Sequence, residues 1–320
     1  MKNITKNLAK KILYTLYTPK LPQGRIQLGY IFHTEQIYDQ KLFTQLLGFC
    51  ESYQKITGKR PICTLMTGVN PLVAEGMKAH GVSAEDYVNR ARQLSEVSTL
   101  GYHGHFWSEV SKLHDPSSQI KGRRAAEPAL KTQFEKDLQW FKSNGLNHNG
   151  IYSGGWWFMS EQVQKLLVQH GFLLDFTFSK APYFRNPYSQ DLMQKNQIRI
   201  GEVCRIEEQL FCIQNFIGCH TTPFIGDFYR NMRKLLTEDE QPNSPIHGVV
   251  NSHDYDLDVV NTLKCIEALK KDPSVEFYDA QDFQSQLARK SKSIKSVSLS
   301  PDPGKHSKSV GPQRDHQTLE

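Results

Sequence analysis

From about residue 26 the chain alternates short apolar runs with stretches whose apolar residues recur every three or four positions. IQLGYIF (26–32) predicts a strand. Residues 40–57 predict a helix, because Leu42, Phe43, Leu46, Leu47, Cys50 and Tyr53 share one face and Gly58 stops it. PICTLMT (61–67) is a second strand, and Ser83 opens a further helix with Asp86 three residues on as a capping box. STLGYHGHF (98–106) reads as a strand, and 127–143 as a helix carrying Leu130, Phe134, Leu138 and Phe141. The β signal continues through GIYSGG (150–155), LLDFTF (173–178), RIGEVCRIE (199–207) and LFCIQNF (210–216), with a helix over Ser160–His170. HGVVNSH (247–253) is a late strand, followed by a helix over 256–271, the strand VEFYD and a short helix from Asp279 to Arg289. This β-α repetition has no break in composition and predicts a single α/β domain of (β/α) barrel type over 26–289. Residues 1–25 form a basic extension, and from Lys290 to Glu320 the near absence of apolar residues predicts a disordered tail.

Composition narrows this only a little. Hydrophobic residues make up 38% and charged residues 22% of 320, which excludes collagen, coiled coil and wholesale disorder. No window approaches the roughly 20 apolar residues of a membrane span. The longest apolar run near the N-terminus, Ile12-Leu13-Tyr14, is too short for a signal peptide, so secretion by that route is not expected. The net charge of +6 misleads, because residues 1–25 carry six Lys/Arg and no acid while the middle of the chain is mildly acidic. A nucleic-acid groove in the body is therefore not expected. The basic segment suits either peripheral contact with an anionic membrane surface or a frayed terminus. Six cysteines, at 50, 63, 204, 212, 219 and 265, form no CxxC pair and read as free thiols of a reducing cytoplasm.

Four segments place polar or aromatic side chains where predicted strands end, the place at which α/β barrels build their sites. In YIFHTEQ, His33 and Glu35 are two apart and so face the same way on an extended strand. That pair suits a metal ligand set, a base with its orienting group, or a polar strand end meeting solvent. In LGYHGHFW, His103 and His105 likewise share a face, which suits two imidazoles on one divalent ion or a stacked structural pair. In IYSGGWWFM, Gly154 and Gly155 precede Trp156 and Trp157, a candidate sugar-stacking wall with core packing of at least one indole as the alternative. In VVNSHDYDLD the apolar run delivers His253, with Asp254 and Asp256 placed to hold an imidazole nitrogen or to cap the next helix. His220 sits before Thr221 and Thr222 and reads as structural. No GxxxxGK[ST], GxSxG or strand-anchored GxGxxG is present, so ATPase, serine-hydrolase and Rossmann readings lack support.

Taken in order and spacing, these segments resemble the polysaccharide deacetylase (NodB-homology) family, from about Ile26 to Phe283. Tyr-Ile-Phe-His-Thr-Glu (30–35) stands where the family has Thr-Phe-Asp-Asp or Thr-Phe-Asp-x-Glu. Gly101 to Trp107 matches its Gly-x-His-x-x-x-His, Tyr152 to Trp156 its Arg-x-Gly-Gly-Trp, and His253 its closing histidine. The resemblance implies an irregular seven-stranded barrel in which a divalent ion, an acid and a base remove an acetyl group from an amino sugar. Carried over by position, His33 replaces the base Asp, Thr34 stands where the metal Asp often is, Trp107 replaces the second histidine ligand, and Tyr152 replaces the Arg that braces the base. Two accounts follow. One is a re-drawn site with Glu35, His103 and His105 as metal ligands, His33 as base and His253 as acid. Tyr152, Gly154, Gly155, Trp156, Trp157 and Asp254 then contact substrate, and the ion is zinc, with cobalt or nickel as alternatives. The other is an inactive relic of the fold that needs no metal and either binds carbohydrate or acts as a partner in the same glycan-building pathway.

Overall fold

The computed structural model describes residues 23–115, 117–121, 128–178, 186–199, 201–218 and 245–299. Among these residues there are eleven strands: β1 (Ile26–Thr34), β2 (Ile62–Leu65), β3 (Thr99–Gly104), β4 (Ile151–Gly154), β5 (Leu174–Asp175), β6 (Cys204–Ile206), β7 (Leu210–Cys212), β8 (Gln214–Gly218), β9 (Ile246–His253), β10 (Val275–Phe277) and β11 (Lys295–Val297). The helices are α1 (Gln40–Thr57), α2 (Pro71–His80), α3 (Ala84–Val97), α4 (Pro128–Ser143), α5 (Glu161–Gln169), α6 (Pro187–Lys195), α7 (Val259–Lys270) and α8 (Ala280–Arg289). One mostly parallel sheet runs in the order β11-β6-β7-β5-β4-β3-β2-β1-β9-β8, with β10 also paired to β1, and curls into a half-barrel. The excess over the seven strands expected lies in short additions, since β6, β7, β10 and β11 are three residues each.

The strands sort their side chains by the period of two. Tyr30, Phe32, Cys63, Leu65, Tyr102 and Tyr152 join the larger core with Phe43, Leu46, Phe49 and Tyr53 of α1 and Phe134 and Phe141 of α4. Ile31, Ile62, Ile151, Leu174 and Val249 point the other way, into the curl, and cluster with Phe283 and Leu287 of α8. Gly29 makes that closure at the floor possible, because a Cβ there would stand 2.7 Å from the Phe283 ring. The inward row continues upward from Ile31 to His33 and Glu35, from Gly101 to His103 and His105, from Ile151 to Ser153, and from Val249 to Asn251 and His253. The apolar floor thus carries a polar layer at the C-terminal ends of the strands.

The helix over 40–57 and the Ser83/Asp86 capping box form, and each expected strand is present at least in part: 173–178 shortens to Leu174–Asp175, 199–207 to Cys204–Ile206, and 210–216 divides into β7 and β8, which pair with different strands. Helices α2 and α6 have no counterpart in the sequence expectations; both open with Asn followed by Pro, a start signal for short helices. The helix expected over 256–271 begins three residues late, because Asp258 rather than Asp254 or Asp256 caps it. The tail expected from Lys290 is also corrected. β11 pairs in parallel with β6, and Val297 and Leu299 are buried, so the folded body runs to Leu299. Cys50, Cys63, Cys204, Cys212 and Cys265 carry free thiols, the first four buried and Cys265 half-buried. Cys219 and His220, most of the basic extension and residues 300–320 lie outside the described residues.

Candidate metal centre

Register brings the polar layer together. His33 on β1 lies beside His253 on β9, and His103 on β3 lies beside Ser153 on β4. Glu35 follows β1 and turns its carboxylate inward: Oε1 is 3.4 Å from His103 Nε2 and 3.4 Å from His105 Nε2. The two Nε2 atoms are 3.2 Å apart. Two ligands each about 2.0–2.2 Å from a tetrahedral zinc stand roughly 3.3 Å from one another. The triangle therefore has the edge lengths of three metal ligands, and its two imidazoles and one carboxylate are the donors of catalytic zinc sites. Both histidines are buried and Glu35 is nearly so.

Each corner is held from behind. His103 Nδ1 donates to the Ser153 carbonyl at 2.9 Å, which leaves the lone pair on Nε2, toward the triangle. His105 Nδ1 lies 2.7 Å from the Gln119 amide, and its own carbonyl accepts from Asn70 Nδ2 at 3.2 Å. Asp254 Oδ2 accepts the backbone N–H groups of Glu35 at 3.1 Å and Gln36 at 2.6 Å, which fixes the turn that presents Glu35.

The electrostatics agree with this construction. Burial raises the Glu35 carboxyl, but the His105 and His103 imidazoles outweigh it and hold the group well below the usual carboxylate range. Burial lowers His103 to about 4, aided by His105 and opposed by Glu35. His33 is lowered well below the ordinary imidazole value, chiefly by burial and then by His103 and His253. At neutral pH the centre thus offers one carboxylate anion and neutral His103 and His33 rings.

Around the triangle stand the other candidates. His33 stacks on His103 with ring centroids 4.7 Å apart, and its Nε2 is 3.0 Å from Ser153 Oγ. His253 Nε2 lies 3.8 Å from Glu35 Oε1, while its Nδ1 is 3.3 Å from Asp256 Oδ2 and its backbone N–H donates to Asp256 Oδ1 at 2.9 Å. His253 is not part of the tight triangle, so the three ligands leave one side open toward it. A pocket of about 550 Å³ opens there, lined by His33, Glu35, His105, His253 and the aromatic Trp107, Trp156, Trp157 and Tyr255. Trp157 is buried and meets His33 edge-on, whereas Trp156 is 49% exposed at the mouth with Lys121 Nζ 5.3 Å from its ring.

Three expectations drawn from the sequence need correction. Tyr152 faces outward into the core against Tyr102, one position off the inward row, and takes no part in the site; Ser153 braces His33 instead. Asp254 is fully buried and clamps the Glu35 turn, so it is not a substrate contact. Gly154 and Gly155 are buried too, and their lack of side chains serves packing: a Cβ on Gly155 would meet the His105 ring at 2.1 Å, and one on Gly154 the Phe158 carbonyl oxygen at 2.3 Å. Thr34 also points outward, as its even position requires, and takes no part in the site, whose carboxylate comes from Glu35. Sequence reasoning missed Gln119 and Ser153. The inward parity of Ile151 signals Ser153, whereas Gln119 sits in a loop where no periodicity points to it.

No family model matches the chain, and a search of curated proteins gives no significant match. Among solved structures, the chain is similar to a "putative polysaccharide deacetylase" from Mycobacterium smegmatis, with a TM-score of 0.52 at 11% identity over 87% of this chain and 95% of that one. A 4-alpha-glucanotransferase from Thermococcus litoralis gives a TM-score of 0.48 at 10% identity, over 82% of this chain and 40% of that one. A "putative polysaccharide deacetylase involved in o-antigen biosynthesis" from Bordetella bronchiseptica gives 0.38 at 11% identity, over 83% and 91%. The first of these shows a shared fold, an irregular α/β barrel; the other two superpose too loosely to carry an argument.

Proposed function

We propose that this chain is a metal-dependent hydrolase that removes an acyl group from an N-acylated amino sugar during the building of cell-surface glycan. The observation that carries this reading is the Glu35/His103/His105 triangle, with edges of 3.4, 3.4 and 3.2 Å, at the mouth of a barrel with a deacetylase fold. Those three residues would hold a divalent ion, zinc first, and the ion supplies Lewis acidity to polarise an amide carbonyl and acidify water.

The chain's own groups divide the remaining work. His33 is neutral because it is buried, so its ring keeps a lone pair able to take a proton from the attacking water. The 3.0 Å contact to Ser153 Oγ fixes the orientation of that ring. His253 has Nδ1 on Asp256, which sets Nε2 on the pocket side; there it can hand a proton to the departing amine as the C–N bond breaks. Trp156 and Trp157 offer flat apolar faces and indole N–H donors to a pyranose ring.

The test is release of free amine from N-acetylated hexosamine oligosaccharides by chelated and by zinc- or cobalt-reloaded protein. Reloading should restore activity, and His33→Ala and His253→Ala should each lower kcat by about 10²-fold or more, the usual range for lost acid–base groups. Absence of amine from every substrate, with glycan binding that still depends on Trp156, would overturn the hydrolase reading and leave a carbohydrate-binding protein.

A further inference from the structure

The two histidine ligands are oriented by unlike partners. A backbone carbonyl can only accept, so Ser153 fixes His103 with its proton on Nδ1 in every state of the site. The partner of His105 is a primary amide, which offers a donor on one side and an acceptor on the other. Backbone pairing delivers it there. Gln119 forms an antiparallel bridge with Trp107, Ile120 N–H donates to the Phe106 carbonyl at 2.9 Å, and Ser108 N–H donates to the Ser118 carbonyl at 2.7 Å. The loop is thereby tied alongside the end of β3, two residues from the ligand it serves.

In the structure the amide nitrogen Nε2 of Gln119 faces His105 Nδ1 at 2.7 Å. Nδ1 then accepts, and the ring proton sits on Nε2, inside the triangle. From there it donates to His103 Nε2 at 3.2 Å or Glu35 Oε1 at 3.4 Å. That proton gives one of the two facing acceptors a donor and relieves part of the lone-pair repulsion in the triangle without a cation. Turned by 180°, the same amide presents its carbonyl, Nδ1 becomes the donor, and His105 Nε2 aims a lone pair at the lone pairs of His103 and Glu35. Three converging lone pairs are favourable only around a cation.

The geometry points to Gln119 as the positioning residue whose amide orientation sets the His105 tautomer and thereby the affinity of the centre for its ion. It lets one set of side chains be hydrogen-bonded when empty and competent when filled, at the expense of some affinity. This inference rests on the metal-centre reading above, and its test separates the two.

The experiment is ¹⁵N NMR of the histidine tautomers in the metal-free full chain, followed by zinc titration calorimetry, on the wild type, Gln119→Glu and Gln119→Leu. A carboxylate only accepts, so Gln119→Glu should place the His105 proton on Nδ1 before any metal is added and tighten zinc binding at least about tenfold. Gln119→Leu removes the partner and should weaken zinc binding roughly 10- to 100-fold. A merely structural glutamine would make both variants weaker. Metal-free wild type with the proton of His105 on Nδ1, or equal affinity in all three proteins, would overturn the inference. A wild type that binds no zinc, with the tautomers as described, would overturn the metal reading and leave the tautomer assignment standing.

Discussion

Gly155→Ala adds one methyl group to the molecule at the point where backbone touches a proposed ligand. The new Cβ would lie 2.1 Å from His105 Cδ2 and 2.2 Å from Nε2. Non-bonded heavy atoms settle near 3.5 Å, so the imidazole has to withdraw by about 1.4 Å. It has little room to do so. Trp107 stacks on it with centroids 6.1 Å apart at 25°, Gln119 holds Nδ1, and Asn70 holds the backbone carbonyl. Metal sites tolerate ligand displacements of about 0.2 Å, so a shift several times larger takes Nε2 out of the triangle. The overpacking itself costs on the order of 1–3 kcal/mol, which a domain with ~5–15 kcal/mol of stability survives. The variant should therefore keep its far-UV circular dichroism and a cooperative melt while zinc affinity by calorimetry falls about 100-fold or more, as for loss of a ligand-orienting contact. Wild-type zinc affinity in a folded Gly155→Ala protein would refute the argument, because it would mean that the ring is not confined by the glycine.

Other consequences follow from the same geometry. Trp156 is half exposed and held at φ 54°, so Trp156→Gly should raise KM for an amino-sugar oligosaccharide tenfold or more while Tm stays level or rises slightly, strain at such a position being worth about 1 kcal/mol. A drop in Tm of many degrees would mean that the indole is a core element instead. Asp137, on the buried face of α4, accepts hydrogen bonds from Thr67, Tyr102 and Gln133, and burial raises its pKa to about 6. Its folded pKa exceeds the unfolded one, so its stabilising contribution is present below about pH 4 and is lost as pH rises through about 6. Urea melts across that window should show wild type losing stability relative to Asp137→Asn by on the order of 2 kcal/mol; a pH-independent difference would contradict the assignment. Asp254→Ala should free the turn carrying Glu35 and weaken zinc binding more than it weakens the fold. Equal zinc affinity in that variant would show the clamp to be dispensable.

Much of the site is legible in the sequence because the chemistry lies on strands. His33 with Glu35 and His103 with His105 keep the period of two, and each pair does face inward at the end of its strand, on β1 and β3. The same period applied to Tyr152 turns it outward, since Ile151 and Ser153 point in; alignment to a motif position hides that parity. Asp254 shows a different limit. Its neighbour His253 marks the strand end, but whether a carboxylate meets substrate or a backbone amide 218 residues away depends on tertiary placement. Gln119 is 14 residues from His105 in sequence and reaches it only through the bridge to Trp107, a non-local contact that local patterning does not encode. The glycines at 154 and 155 punctuate a strand end in sequence, but their closest neighbours, the Phe158 carbonyl and the His105 ring, emerge only in three dimensions. The segment beyond Lys290 is polar almost throughout, yet Val297 and Leu299 are enough to anchor a short edge strand.

The central claim is that Glu35, His103 and His105 together hold one divalent ion. Elemental analysis of the purified chain after chelation and zinc reloading, beside Glu35→Gln and the His103→Ala/His105→Ala double variant, tests it most directly. About one zinc per chain is expected in the wild type, with a large loss in Glu35→Gln and none in the double variant, all three proteins remaining folded. Absence of stoichiometric metal from the folded wild type, or equal metal content in the double variant, would contradict the account.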